Sequence, residues 1–297
     1  MHYFGAHCID NGGLHMAVKR AGKGRMHALQ FFSAIPKYYG DKVSIKPERV
    51  ARFRDALAET EIESRNCVVH AAYVLNCATP EGEKWSRAAG GLSREFERSS
   101  MLGIGGVCFH PGAATDGDRE AGVERVGQAM IQALGAVPES TTRLLIENTA
   151  GAGSTVGRTP EEVAGILACI PAAQRHRTGY GLDTCHLFAS GYDISASRDE
   201  LTRVLDAFED ATGEPPSFFH LNDSDGALGS NRDRHMLIGD GKIGAKAFEW
   251  LVNDRRSQGI PLILETPQAK PDVADDDDSP DPWDVESIMK LREFLNG

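Results

Sequence analysis

The chain has 297 residues, 41% of them hydrophobic, enough for one large domain or two ordinary ones with a substantial core. No apolar run approaches the ~20 residues of a membrane span. The start, Met1 to His7, lacks the basic and apolar regions of a signal peptide, so a cytoplasmic protein with no membrane contact is expected. The net charge of −11 argues at first against a nucleic-acid partner, yet seven aspartates between residues 272 and 284 supply more than half of it, so charge excludes little.

Short apolar runs alternate with longer amphipathic ones eight times along the chain. The strands are expected at 2–7, 27–32, 66–70, 106–110, 143–147, 180–183, 217–220 and 261–265. Helices are expected at 13–19, 47–61, 81–102, 119–134, 160–169, 198–211, 245–257 and 284–295. Pro47 and Pro160 fall in first turns, where proline is tolerated, and Thr159 with Glu162 three residues on forms a capping box. Eight such alternations predict an α/β fold, a single (β/α)8 TIM barrel over 1–297, with a doubly wound sheet as the rival. The run 272–282 is an acidic segment expected to be a flexible, solvated loop after the eighth strand. The six cysteines are scattered without a Cys-x-x-Cys pair, as expected of buried thiols in a reducing compartment.

In such a barrel, chemistry sits where strands end. Six consecutive strands finish on a group able to bind metal: His70, His110, Glu147, Asp183, His220 and Glu265. Each alone has a plain structural explanation, such as a hydrogen-bonded core histidine or a helix cap. Six at one depth point instead to a metal cluster that neutralises carboxylates brought close together. His186 lies three residues beyond Asp183, on the same side of one helical turn. The stretch from His220 to His235 adds Asp233 and His235, although on its own it fits a polar surface loop equally well. Five histidines and four carboxylates exceed one zinc and suffice for three if one carboxylate bridges, with manganese an alternative at one site.

The segments LLIENTAGAGSTVG (144–157), GLDTCHLFASGYD (181–193) and HLNDSDGALGSNRDRHMLIGDGKIG (220–244) resemble the endonuclease IV family of zinc-dependent apurinic/apyrimidinic (AP) endonucleases. HAAYVLN (70–76), FHPGA (109–113) and LILETP (262–267) support the likeness, which covers nearly the whole chain. The resemblance implies a monomeric DNA-repair enzyme of base excision repair that acts on double-stranded DNA. It would hydrolyse the phosphodiester 5′ to an abasic site, leaving a 3′-hydroxyl and a 5′-deoxyribose phosphate. It implies three zinc ions: one on His70, His110 and Glu147, a second on Glu147, Asp183, His220 and Glu265, and a third on His186, Asp233 and His235. Glu147 would bridge and Glu265 would orient the attacking water, which makes these two the catalytic carboxylates. Tyr73 and Val74 match the position from which family members fill the gap in the duplex, a task suited to an aromatic and an aliphatic wedge.

The match thins on the DNA side. After the second strand the family usually carries an Arg and a Trp, whereas this chain reads SAIPKYYG (33–40), leaving Lys37 as the stand-in cation. Asp225 sits where a lysine is common, and Met236 follows His235 where a polar residue is often found. Two other functions therefore stay open: a metal-dependent sugar isomerase or epimerase on the same barrel, and a zinc-holding barrel without catalysis.

Overall fold

A computed structural model describes residues 1–34 and 45–295. In chain order the first elements are β1 (Tyr3–His7), α1 (Leu14–Lys23), β2 (Ala28–Phe31), α2 (Pro47–Ala58), β3 (Cys67–His70), α3 (Gly82–Leu102), β4 (Gly106–Phe109), α4 (Arg119–Ala136) and β5 (Arg143–Glu147). They continue as α5 (Pro160–Ala168), β6 (Thr178–Asp183), α6 (Thr184–Ala189), α7 (Arg198–Thr212) and β7 (Phe218–His220). The last are β8 (Asp223–Ser224), β9 (His235–Met236), α8 (Ala245–Val252), β10 (Pro261–Leu264) and α9 (Pro282–Glu293). Eight strands close a barrel in the order β1-β10-β7-β6-β5-β4-β3-β2. Every neighbouring pair in it is parallel. The TIM barrel expected from the alternation is the fold observed.

Period-two alternation explains how the strands serve two layers. Val69, Val107, Leu144, Ile146, Leu182, Phe219, Leu262 and Leu264 belong to the main core, which the helices complete. The opposite face carries Ala28, Val68, Cys108, Leu145, Phe218 and Ile263, a separate apolar cluster that fills the barrel. Each of Val68, Cys108, Leu145, Phe218 and Ile263 lies two residues before an expected metal ligand at or just past the end of its strand. The ligands thus stand on an apolar plug, in line with the layered filling of such barrels. Gly181 permits this packing, since a Cβ there would lie 2.1 Å from the Phe218 ring.

Local signals set the helix starts. Thr159 and Glu162 form the reciprocal capping box expected of them. Asp118, Ser197 and Asp281 cap α4, α7 and α9 with their side chains. Most boundaries shift by a few residues from expectation, and two of the shifts bear on the site: β4 and β10 stop one residue short, so His110 and Glu265 lie just past their strands. The antiparallel β8–β9 pair was not expected either. Two-residue strands carry no periodicity of their own.

The acidic segment makes specific contacts. The buried guanidinium of Arg20 on α1 donates to the carbonyls of Ala274 (3.1 Å) and Asp277 (2.9 Å). It also donates to those of Ile9 (2.6 Å) and Asn11 (3.0 Å) in the β1–α1 loop. Lys23 pairs with Asp278 at 2.5 Å. Two loops are thereby tied together at the rim of the ligand face. Among the described residues, no helix is long and apolar enough to cross a membrane.

Candidate metal centre

The nine expected ligands converge at the C-terminal ends of the barrel strands, and Glu147 lies at their middle, fully buried. Its Oε2 is 3.1 Å from His70 Nε2 and 3.2 Å from His110 Nε2. Its Oε1 is 2.9 Å from His220 Nδ1. Glu265 Oε2 approaches the same His220 nitrogen at 3.2 Å, and Asp183 Oδ2 at 3.9 Å. Donor atoms of Glu147, Asp183, His220 and Glu265 all lie within 4.8 Å of one another, as a metal would require. A further cluster forms around Asp233, which stands 3.2 Å from His186 Nε2 and 2.9 Å from His235 Nε2.

Local structure aims these groups. Asp183 is the N-cap of α6: one oxygen accepts the His186 amide at 2.8 Å, which leaves Oδ2 for the cluster. The short helix then sets His186 on the side of Asp183. His235 opens β9 two residues after Asp233, and pairing of β9 with β8 holds His235 over the barrel mouth.

The second nitrogens of the imidazoles decide what the first can do. His70 Nδ1 donates to the Ala71 carbonyl (2.7 Å), His186 Nδ1 to Asn148 (2.8 Å) and His235 Nδ1 to Glu265 (3.0 Å). With the proton committed there, each Nε2 turns a lone pair toward a carboxylate oxygen. Two electron-rich atoms near 3 Å need a cation between them, either a proton or a metal ion. Among the described residues His235 Nε2, although 2.9 Å from Asp233 Oδ1, makes no hydrogen bond of acceptable geometry, and neither does the buried amide nitrogen of Asn148. Neutral imidazoles oriented through backbone carbonyls and facing carboxylates are the donor set of zinc or manganese sites. These residues fit a divalent metal cluster.

The proton affinities tell the same story for the metal-free protein. Burial, the largest single influence, pushes His70 down, but the hydrogen bond and charge of Glu147 outweigh it and lift the group to about 9. Burial likewise opposes His235, yet Asp183 and Asp233 raise it to about 10. His186 is raised well above its ordinary value against burial by Asp183 and Asp233. Burial works against ionisation of Glu147 too, but the imidazoles of His220 and His110 bring it well below the usual carboxylate range. Asp233 is lowered against burial by His186 and His235. Cys108 and Cys185 stand close to these clusters, and burial raises both thiols, Cys185 to about 12, so both are protonated in the metal-free protein.

A cavity of about 540 Å³ opens over the cluster and is lined by His7, Phe32, Tyr73, Gln268 and Pro271 besides ligand side chains. Tyr73 is 50% exposed and meets Phe32 edge-on at 5.5 Å. Val74 beside it is half-buried and packs on the main core. Lys37, the expected cation of the strand-2 loop, lies outside the described residues. Asp225 is exposed, and its amide donates to the Arg234 carbonyl.

Four residues that the strand-end pattern missed organise this site. Asn222 donates to Asp183 Oδ2 (2.5 Å) and accepts the Glu265 amide (2.8 Å). Asn148 accepts the Asp183 amide at 2.6 Å. Gln30 links His220 to Glu265. Asp223, fully buried, accepts amides of Gly239 (2.9 Å), Gly241 (3.1 Å), Ile243 (2.9 Å) and Gly244 (3.2 Å). Gly241 admits that carboxylate, since a Cβ there would sit 2.4 Å from its Oδ1. A glutamine inside the apolar run 27–32 was a signal in the sequence; the aspartate carried none among its polar neighbours.

A family profile described as xylose isomerase-like TIM barrel matches residues 17–293. A protein described as probable endonuclease 4 from Geobacter sulfurreducens is 34% identical over 294 residues, 99% of this chain and 94% of that one. The crystal structure of endonuclease IV from Thermus thermophilus superposes with a TM-score of 0.81 at 30% identity, covering 99% of both chains. A D-tagatose 3-epimerase-like protein superposes at 0.71 with 16% identity, over 99% of this chain and 97% of that one, a likeness of fold alone.

Proposed function

The chain belongs to the endonuclease IV family, and on that premise we propose that it is a DNA-repair hydrolase that cuts the phosphodiester 5′ to an abasic site. The observation that carries this reading is the set of nine donors in adjoining clusters, one around buried Glu147 and one around Asp233, beneath an open cavity. His70, His110 and Glu147 would hold one zinc ion. Glu147, Asp183, His220 and Glu265 would hold a second, and His186, Asp233 and His235 a third. Bound there, zinc supplies positive charge for a phosphodiester and lowers the pKa of water toward ~7.

The chain's own groups do the rest. Glu265 is held at Oε1 by Gln30 (2.5 Å) and faces His220 through Oε2, so one carboxylate oxygen can accept a hydrogen bond from the attacking water. Water oxygen bonds to phosphorus, the bond to the 3′-oxygen breaks, and a proton ends on that oxygen as the 3′-hydroxyl. His7 stays neutral, because burial pushes it down to about 4 against the charge of Glu265. Its Nδ1 is occupied by Gln30 at 3.0 Å, so its remaining N–H is a donor in the cavity wall for the sugar or phosphate. Phe32 and Tyr73 give that wall aromatic faces for a baseless sugar, whose extrusion costs less than that of a paired nucleotide. Exposed Tyr73 is the side chain that would enter the gap it leaves.

The test is incision of a duplex bearing one abasic-site analogue, with metal content measured on the same preparation. The expected outcome is cleavage 5′ to the lesion, near three zinc ions per chain, and loss of both ion retention and incision in Glu147→Gln. Bound metal with no incision would overturn the nuclease and turn the search to sugar substrates.

A further inference from the structure

Gln30 stands in the middle of β2, fully buried at the base of the metal cluster, and all four of its side-chain hydrogen-bonding positions are used. Its Nε2 donates to Glu265 Oε1 at 2.5 Å and to His7 Nδ1 at 3.0 Å. Its Oε1 accepts from His220 Nε2 at 2.8 Å and from the Cys108 thiol at 3.5 Å. The direction of the amide follows from these partners. Turned over, it would set its oxygen against the Glu265 carboxylate and its NH2 against the Cys108 and His220 donors.

That direction fixes the state of His220. Once His220 Nε2 carries the proton donated to Gln30, only Nδ1 keeps a lone pair, and Nδ1 faces Glu147 and Glu265. His70, His186 and His235 have the opposite arrangement, with Nδ1 donating to a backbone carbonyl and Nε2 toward the carboxylates. Among the described residues no backbone carbonyl is bonded to the His220 ring; the Gln30 side chain does that work. The same amide restrains Glu265, which lies just past the end of β10 and is not held by that strand's ladder.

We infer that Gln30 is a positioning residue of the metal centre, selecting Nδ1 of His220 as the ligating nitrogen and holding the Glu265 carboxylate in place. This role rests on the metal-dependent activity proposed above only in its kinetic consequence. Partners of this kind, behind the ligands, change metal affinity or activity by about 10- to 100-fold when removed.

Three measurements decide it. Ring nitrogen NMR of the zinc-loaded wild type, labelled in histidine, should find His220 protonated at Nε2 and His70, His186 and His235 at Nδ1. A proton on Nδ1 of His220 would overturn the assignment without any variant. Gln30→Met keeps length and volume but neither polar function, so chelator-driven metal loss should be about 10- to 100-fold faster than in wild type. Gln30→Glu keeps an acceptor for His220 but repels Glu265, so its loss rate should fall between the two. On abasic-site DNA, kcat of the Met variant should drop about 10- to 100-fold while KM stays within about threefold. Wild-type metal retention and kcat in a folded Met variant would overturn the proposal, and so would a change in KM alone. If the wild type fails to cut abasic DNA, the nuclease reading falls, while the NMR and chelator results still decide the role of Gln30.

Discussion

Asp223 offers a sharp test of how the fold builds the site. Its carboxylate collects the amides of Gly239, Gly241, Ile243 and Gly244, and so folds the segment after β9 back under β8. Gly239 and Gly244 take φ of 86° and 79°, conformations that let the chain turn around one side chain. In Asp223→Asn the charge goes, and an NH2 faces amide donors in place of one oxygen. Hydrogen bonds to a charged acceptor contribute about 1.5–3 kcal/mol each and do not add fully, so a loss of about 3–5 kcal/mol is expected. For a chain of this size that lowers Tm by roughly 5–8 °C. Hydrogen exchange followed by mass spectrometry should find faster exchange over residues 236–244. Because Asp233 and His235 hang from the same β8–β9 unit, the variant should also hold one metal ion fewer per chain. Unchanged protection of those amides together with a Tm within about 2 °C of wild type would refute the reasoning.

Three further outcomes are expected. In the metal-free protein the raised values of His70 (about 9) and His235 (about 10) contribute stability that is complete below the unfolded histidine value near ~6.5 and lost as pH climbs through 9 and 10. Lowered Glu147 and Asp233 contribute in the opposite sense, above the ordinary carboxylate range and less as pH falls. Zinc competes with those imidazole protons, so the Tm gain on adding zinc should be larger at about pH 8.5 than at about pH 6; equal gains would contradict the proton assignment. Arg20→Met removes a buried cation from four carbonyls and should cost about 3–5 kcal/mol, with new protease cleavage in 270–281; wild-type resistance there would count against the clamp. Replacing exposed Asp275 and Asp276 by Asn should tighten DNA binding about threefold at ~50 mM salt and leave it unchanged near ~0.5 M, whereas equal affinity at low salt would show the acidic segment to be electrostatically idle.

The barrel and the convergence of the nine candidate ligands were legible in the sequence for one physical reason. Strand period and strand ends are local properties: apolar alternation marks a strand, and a His, Asp or Glu just past it marks the mouth of a barrel. The Thr159–Glu162 box and the Asp183–His186 turn are local in the same sense, and each is present in the structure. The roles of Gln30 and Asp223 were not legible, because the partners of Gln30 are brought near only by closure of the barrel and those of Asp223 only by the folding back of the loop after β9. Gln30 is 190 residues from His220 and 235 from Glu265 in the chain. Arg20 reaches Asp277 across 257 residues, tying down a segment that composition alone marks as free. By itself, then, the sequence determined which atoms can bind metal and on which face of the barrel they stand. Tertiary structure decided which nitrogen of each imidazole is available and which carboxylate lies at the centre, because proton placement depends on contacts between distant strands.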